Sequence, residues 1–302
     1  MKYRVGTRGS RLALAQTEQI LEQMRTGFPE DEFEPVILTT TGDRHQDKKL
    51  DEIGSKGVFV DAIENALLSG EIAFAVHSMK DMPDTLPEGL AFTKAWKRET
   101  PLDALVLRKE QTLRELPEHA LIGTGSKRRA YQLKLLRPDL EIVPIRGNID
   151  TRMRKLYEPL PDGRLLDGIV VAAAALIRLG RQAQITEIFS PEEMIPAPGQ
   201  GTLAIEARAE DTELIRKLDS FRDEETVGLL GMERAFLQGV GGDCHLPIGA
   251  YAEKTQAGFR LHALFGDSEG KRLARACVEG KNADPELVRQ ALEEIRRQME
   301  EQ

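Results

Sequence analysis

The sequence predicts an α/β protein of two sheet-and-helix units followed by a small α+β domain. Three observations carry this. Strand-like and helix-like segments alternate through most of the chain. A stretch rich in Pro and Gly interrupts that pattern at 191–201. The last part reads as three strands closed by a helix. At 302 residues the chain is longer than one core usually serves, so two or three domains are expected.

In order, residues 3–7 read as a short strand. Ser10 is placed to cap a helix reaching about Thr26, with Ala13, Thr17, Ile20, Leu21 and Met24 on one face and Gly27 as its stop. Residues 35–40 form a second strand. Residues 58–68 form a helix with Phe59, Ile63 and Leu67 stacked at four-residue spacing, and 72–76 an apolar strand. This β-α-β-α-β order implies a parallel sheet covered on both faces. A second unit starts near Pro101, with strands at 103–107, 121–123, 141–145 and 168–173 and helices at 127–136 and 149–157. Residues 191–201 read as a linker or hinge, and 202–207 as a strand. A helix over 224–237 then leads into the glycine-rich GVGGDCHLPIG. Strands at 248–252, 259–265 and 274–279 and a helix over 285–299 complete the chain.

Composition narrows the function classes. Hydrophobic residues make up 40% and charged residues 30%, which is ordinary globular usage. A net charge of −8 argues against a general nucleic-acid or anionic-membrane binder. With 5% aromatic residues and Trp96 the lone tryptophan, a stacking platform for single strands is not expected. No apolar run reaches the roughly 18 residues of a membrane span, and arginines break the N-terminal apolar stretch, so no signal peptide is expected. Cys244 and Cys277 form no C-x-x-C, and the histidines show no ligand spacing, which disfavours a zinc site or a disulfide framework. The reducing cytoplasm is the expected compartment.

Working residues of α/β units sit where strands end. Here those positions read Thr7-Arg8-Gly9-Ser10 with Arg11 following, His77-Ser78-Met79-Lys80-Asp81, Thr124-Gly125-Ser126-Lys127-Arg128-Arg129, Arg146-Gly147-Asn148 with Arg152 and Arg154 beyond, and Arg178. Helix N-termini attract anions, and cations in a first helical turn oppose the helix dipole unless an anion is present. Any one arginine reads equally as a solvated surface charge. Their recurrence at successive strand ends points to a small molecule with several carboxylates. Lys80-Asp81 reads either as a loop salt bridge or as a carboxylate that stabilises a cationic intermediate or moves a proton. His77 reads as structural or as an acid/base. Cys244 reads as a buried small residue or as a nucleophile on a flexible loop.

Eight segments together resemble the porphobilinogen deaminase (hydroxymethylbilane synthase) family: TRGSRLALAQ at 7–16, GSKGVFV at 54–60, AVHSMKDMP at 75–83, GTGSKRRAYQL at 123–133, RGNIDTR at 146–152, LIRLG at 176–180, PAPGQGTLAIE at 196–206 and CHLPIGAYA at 244–252. They lie in family order over nearly the whole chain. The resemblance implies two domains like type II periplasmic binding proteins, plus a small α+β domain. The expected boundaries are 1–98 with 200–219, 101–195, and 222–302. It implies an enzyme that joins four porphobilinogen molecules head to tail with release of ammonia. A dipyrromethane cofactor would be held by a thioether on Cys244.

By the same resemblance Asp81 is the catalytic carboxylate. Ser78, Lys80, Thr124, Ser126, Arg128, Arg129 and Arg146 bind cofactor, and Arg8, Ser10, Lys56, Arg152, Arg178 and Gln200 bind substrate. A cytoplasmic monomer without metal, nucleic acid or membrane partner is implied. The chain departs from the family pattern at Asp243, His245, Gly125 and Lys127. Asp243, next to the thiol, is expected to disfavour the thiolate, and a protonated His245 to offset this. The competing reading is a non-catalytic binding protein for a carboxylate-rich metabolite, which leaves Cys244 without a role.

Overall fold

The computed structural model describes residues 1–39, 61–83, 85–109, 112–242 and 246–301. The chain divides into two units, Met1–Glu99 with Thr202–Gly228, and Thr100–Gly201 with Leu229–Gln302.

In the first unit, β1 (Lys2–Thr7), β2 (Glu32–Ile37), β3 (Phe74–Ser78), β4 (Leu90–Phe92) and β10 (Leu203–Arg208) form one sheet in the order β2-β1-β3-β10-β4. β1 runs parallel to β2 and β3, whereas β10 is antiparallel to β3 and β4. The sheet is therefore mixed, not parallel throughout as the alternation implied. β10 arrives from far downstream, after the whole second sheet, so it is not joined to β3 by the single local crossover that makes neighbouring strands parallel. Side-chain alternation separates two cores. Phe74 and Val76 of β3 pack with Leu203, Ile205 and Ala207 against α1 (Arg11–Gly27) and α6 (Thr212–Asp219). Ala75 packs on the other face with Ile63, Ala66 and Leu67 of α2 (Asp61–Leu68).

Two strands sit a few residues from their expected places. β2 begins at Glu32 because it pairs from Lys2↔Glu32 onward, and Pro35 is tolerated because β2 is an edge strand. β3 runs two residues further than expected, to Ser78, because β10 pairs with it there through Leu203↔Ser78 and Ala204↔His77. The expected helix at 58–68 is described from Asp61 onward.

In the second unit, β5 (Asp103–Leu107), β6 (Leu121–Gly123), β7 (Glu141–Val143), β8 (Gly168–Ala172) and β9 (Glu187–Ile188) form a second mixed sheet in the order β7-β6-β8-β5-β9. β6 is parallel to β7 and β8, and β5 is antiparallel to β8. Its helices are α3 (Lys127–Leu136), α4 (Ile149–Lys155) and α5 (Ala173–Arg178). Leu105, Leu107, Ile122, Leu133 and Val170 centre the core. The same unit holds most of α7 (Glu224–Gly239) and the antiparallel meander β11 (Gly249–Thr255), β12 (Gly258–Gly266) and β13 (Leu273–Gly280). Against one face of the meander, α8 (Pro285–Glu301) lays Leu287, Val288, Ala291 and Ile295.

Residues 191–201 adopt neither helix nor strand, yet they are far from a solvated linker. Met194 and Gln200 are fully buried. Gln132 grips Ile195 in both directions, its Oε1 accepting from the Ile195 amide at 2.8 Å and its Nε2 donating to the carbonyl at 3.1 Å. Among the described residues no helix is long and apolar enough to cross a membrane, and no cluster of His, Cys, Asp and Glu could hold a metal ion.

Candidate active site

In the first unit the ends of β1 and β3 lie side by side. Ser10 Oγ accepts from the Ala13 amide at 3.2 Å and so caps α1. Thr17 Oγ1 donates to Thr7 Oγ1 at 2.8 Å, fixing the turn that carries Arg8, which is half-buried, and Arg11, which is exposed. At the end of β3, Ser78 Oγ accepts from Gln16 Nε2 of α1 at 2.9 Å. The Met79 amide donates to the Thr202 carbonyl at 3.0 Å. One 3-10 turn, Met79–Asp81, then presents Lys80 half-buried and Asp81 exposed. A carboxylate thus stands in water at the end of a central strand, on a turn anchored by the buried Met79.

In the second unit the arginines of α3 are not on the surface. Ser126 Oγ caps the helix by accepting from the Arg129 amide, and Arg128 and Arg129 turn inward, each 4% exposed. Both reach Asp103 at the start of β5, which is fully buried. Arg128 Nη1 donates to Oδ2 at 2.7 Å and to the Ile195 carbonyl at 2.6 Å. Arg129 Nε donates to Oδ1 at 2.9 Å, and its Nη1 to the Val170 carbonyl at 3.1 Å. Gln200 Nε2 donates to the same Oδ1 at 2.9 Å, and Gln200 Oε1 accepts from Arg129 Nη2 at 3.3 Å. Burial alone would raise the Asp103 carboxyl, but Arg128 and then Arg129 overrule it and hold it well below the usual range. The anion that the first-turn cations call for is thus partly internal. One carboxylate faces two guanidinium groups, so the cluster keeps one net positive charge out of water. Arg128 engages through Nη1, and its Nε and Nη2 have no hydrogen-bond partner among the described residues.

Around this cluster the other expected residues are placed by their backbone. Thr124 is buried, and its Oγ1 accepts from the Ser126 amide at 3.2 Å. Gly199 and Gly201 take φ of 71° and 87°, a left-handed conformation on both sides of Gln200 that turns its amide inward. Arg178 Nη2 donates to the Gly201 carbonyl at 2.7 Å. Arg152 Nε donates to the Gly147 carbonyl at 2.8 Å, and Arg146 is exposed. Two departures from the family pattern have structural reasons here. A Cβ at Gly125 would lie 2.6 Å from the Ile145 carbonyl oxygen, so this backbone path requires glycine. Lys127 Nζ donates to the Ser268 carbonyl at 3.1 Å, beside Tyr131 Oη at 3.2 Å, tying α3 to the β12–β13 turn. Lys56, Asp243, Cys244 and His245 lie outside the described residues.

Sequence reading passed over Asp103, Glu206, Glu64 and Glu233. Each is a charged residue in an otherwise apolar or helical run, and that isolation is the one signal available in the sequence. Glu233 of α7 accepts from the Gly199 amide at 2.7 Å and the Ala252 amide at 3.0 Å, so a buried carboxylate joins the GQG turn to β11.

Residues 3–216 match the family model described as porphobilinogen deaminase, dipyromethane cofactor binding domain, and residues 230–296 match its C-terminal domain. The chain belongs to the porphobilinogen deaminase family. A porphobilinogen deaminase of Lachnospira eligens is 50% identical over 285 residues, covering 94% of this chain and 96% of the relative. One of Clostridioides difficile is 47% identical over 282 residues, covering 93% and 92%. Among solved structures, a nutrient-binding protein of Burkholderia cenocepacia bound to methionine aligns with 72% of this chain and 89% of its own, at 12% identity and a TM-score of 0.44. The chain is thus an enzyme with porphobilinogen deaminase function, and its first 216 residues contain the family's cofactor-binding domain.

Proposed function

We propose that the chain builds the linear tetrapyrrole hydroxymethylbilane from four porphobilinogen molecules, starting from a dipyrromethane held by a thioether on Cys244. The observation that carries this reading is the buried Arg128–Arg129–Asp103 cluster, with its surplus positive charge and the disengaged Nε and Nη2 of Arg128. Each pyrrole unit bears an acetate and a propionate, so dipyrromethane carries several carboxylates. A desolvated guanidinium is the donor that matches them. The donor set therefore fits the cofactor, with Ser78, Lys80, Thr124, Ser126, Arg128, Arg129 and Arg146 as the residues that would hold it.

When bound, the cofactor supplies the free pyrrole carbon to which the first unit is joined. Arg8, Ser10, Lys56, Arg152, Arg178 and Gln200 bind the substrate carboxylates and orient the ring. Loss of ammonia breaks the aminomethyl C–N bond of porphobilinogen and leaves a cationic azafulvene. Asp81 stands against that cation. Its carboxylate oxygens stabilise the positive charge and then accept the proton released as the new carbon–carbon bond forms. Domain boundaries of 1–98 with 200–219, 101–195 and 222–302 go with this reading, and the separate apolar core under β11–β13 supports the last of them. A cytoplasmic monomer goes with this reading too.

Turnover of porphobilinogen should release one ammonia per molecule consumed, measured by coupled assay alongside the tetrapyrrole absorbance that develops on acid oxidation. Ligand uptake without ammonia would overturn the reading in favour of a binding protein.

A further inference from the structure

Behind the end of β3 lie two ionisable side chains with no part in the chemistry above. His77 is 7% exposed and Glu206 is fully buried. Strand register sets Ala204 opposite His77 and Glu206 opposite Ala75, so the two side chains are diagonal neighbours on one sheet face. That face is the one α2 covers. His77 Nε2 lies 2.9 Å from Glu206 Oε2. The pair is not aligned as a hydrogen bond, and neither Glu206 oxygen has a hydrogen-bond partner among the described residues. What the fold fixes is the close approach of two buried polar side chains on one sheet face. Negative charge is crowded here. Burial first, then Glu206, then Asp61, push the Glu64 carboxyl of α2 up to about 7.

Stability alone gives little reason for such a pair, because apolar side chains of similar volume hold a buried strand junction as well or better. Its location gives one. His77 is followed directly by Ser78, which Gln16 holds from the α1 face, and by the anchored turn that carries Asp81. The strand end is therefore held by Gln16 on one face and packed against Glu206 on the other, one turn before the exposed carboxylate.

We infer that the His77–Glu206 pair is a positioning element that sets the placement of the Asp81 carboxylate. The inference rests on the reading of Asp81 as the reacting carboxylate. Small displacements of a reacting group cost large factors in rate while leaving substrate binding intact.

The test uses holoenzyme, with cofactor loading checked by intact mass. His77→Gln and Glu206→Gln should lower kcat by about tenfold to a hundredfold and keep KM within about twofold. In an Asp81→Asn background, His77→Gln should add no further loss, because the pair acts through Asp81. Loaded single variants with wild-type kcat, or losses that multiply with Asp81→Asn, would overturn the inference. Should Glu206→Gln not fold, His77→Gln decides alone. Asp81→Asn with near-normal turnover defeats the Asp81 reading itself, a result distinct from His77→Gln and Glu206→Gln leaving kcat unchanged.

Discussion

Asp81→Asn should keep its covalent cofactor and lose turnover by a factor of about 10² to 10⁴, the range for removing a group that both stabilises charge and moves a proton. The turn Met79–Asp81 is held by backbone contacts and by the buried Met79, none of which involves the Asp81 side chain. Folding and substrate binding should therefore survive. Asparagine preserves shape and polarity but neither carries charge nor accepts the proton. Steady-state kinetics should show kcat and kcat/KM falling together, the pattern of an interaction made in the transition state. A rise in KM at unchanged kcat would make Asp81 a binding residue only.

Asp103→Ala should destabilise the chain by about 3–5 kcal/mol, the usual cost of breaking a buried charge pair. The loss of packing is small. What remains is the larger effect: Arg128 and Arg129 lie side by side out of water without their shared carboxylate. Gln200 Nε2 loses one acceptor at the same time and keeps the Pro101 carbonyl at 2.6 Å. Urea unfolding measured by circular dichroism reports this directly. Loading with the cofactor should recover part of the loss, since its carboxylates can take the place of the missing anion. A change below about 1 kcal/mol would be that of an exposed pair and would contradict the cluster's burial.

Much of the architecture was legible because it follows from periodicity. The spacing of Ile20, Leu21 and Met24 on α1 and the apolar run before Ser78 announced a helix and a buried strand, and the core clusters contain those residues. Strand direction was not legible. β10 and β5 run antiparallel in their sheets through pairings between distant segments, and nothing local in LAIEAR or DALVL encodes the partner. The short β4 and β9 were missed, since they form by pairing with the distant β10 and β5.

The site was legible as chemistry and not as geometry. Arginines at strand ends pointed to an anion, but sequence could not show that Arg128 and Arg129 face inward or that Asp103 supplies part of that anion. A lone acid in an apolar strand reads as an edge residue until the fold brings two cations to it. Gly125 and Lys127, departures when read as letters, are explained by a carbonyl that approaches closely and by a lysine reach to Ser268.

The intact mass of the purified chain tests the central claim most directly. The protein is expected to exceed its 33.7 kDa sequence mass by two pyrrole units, with the increment on the peptide containing Cys244 and absent from Cys244→Ala. A mass equal to the bare chain, still bare after incubation with porphobilinogen, would contradict it.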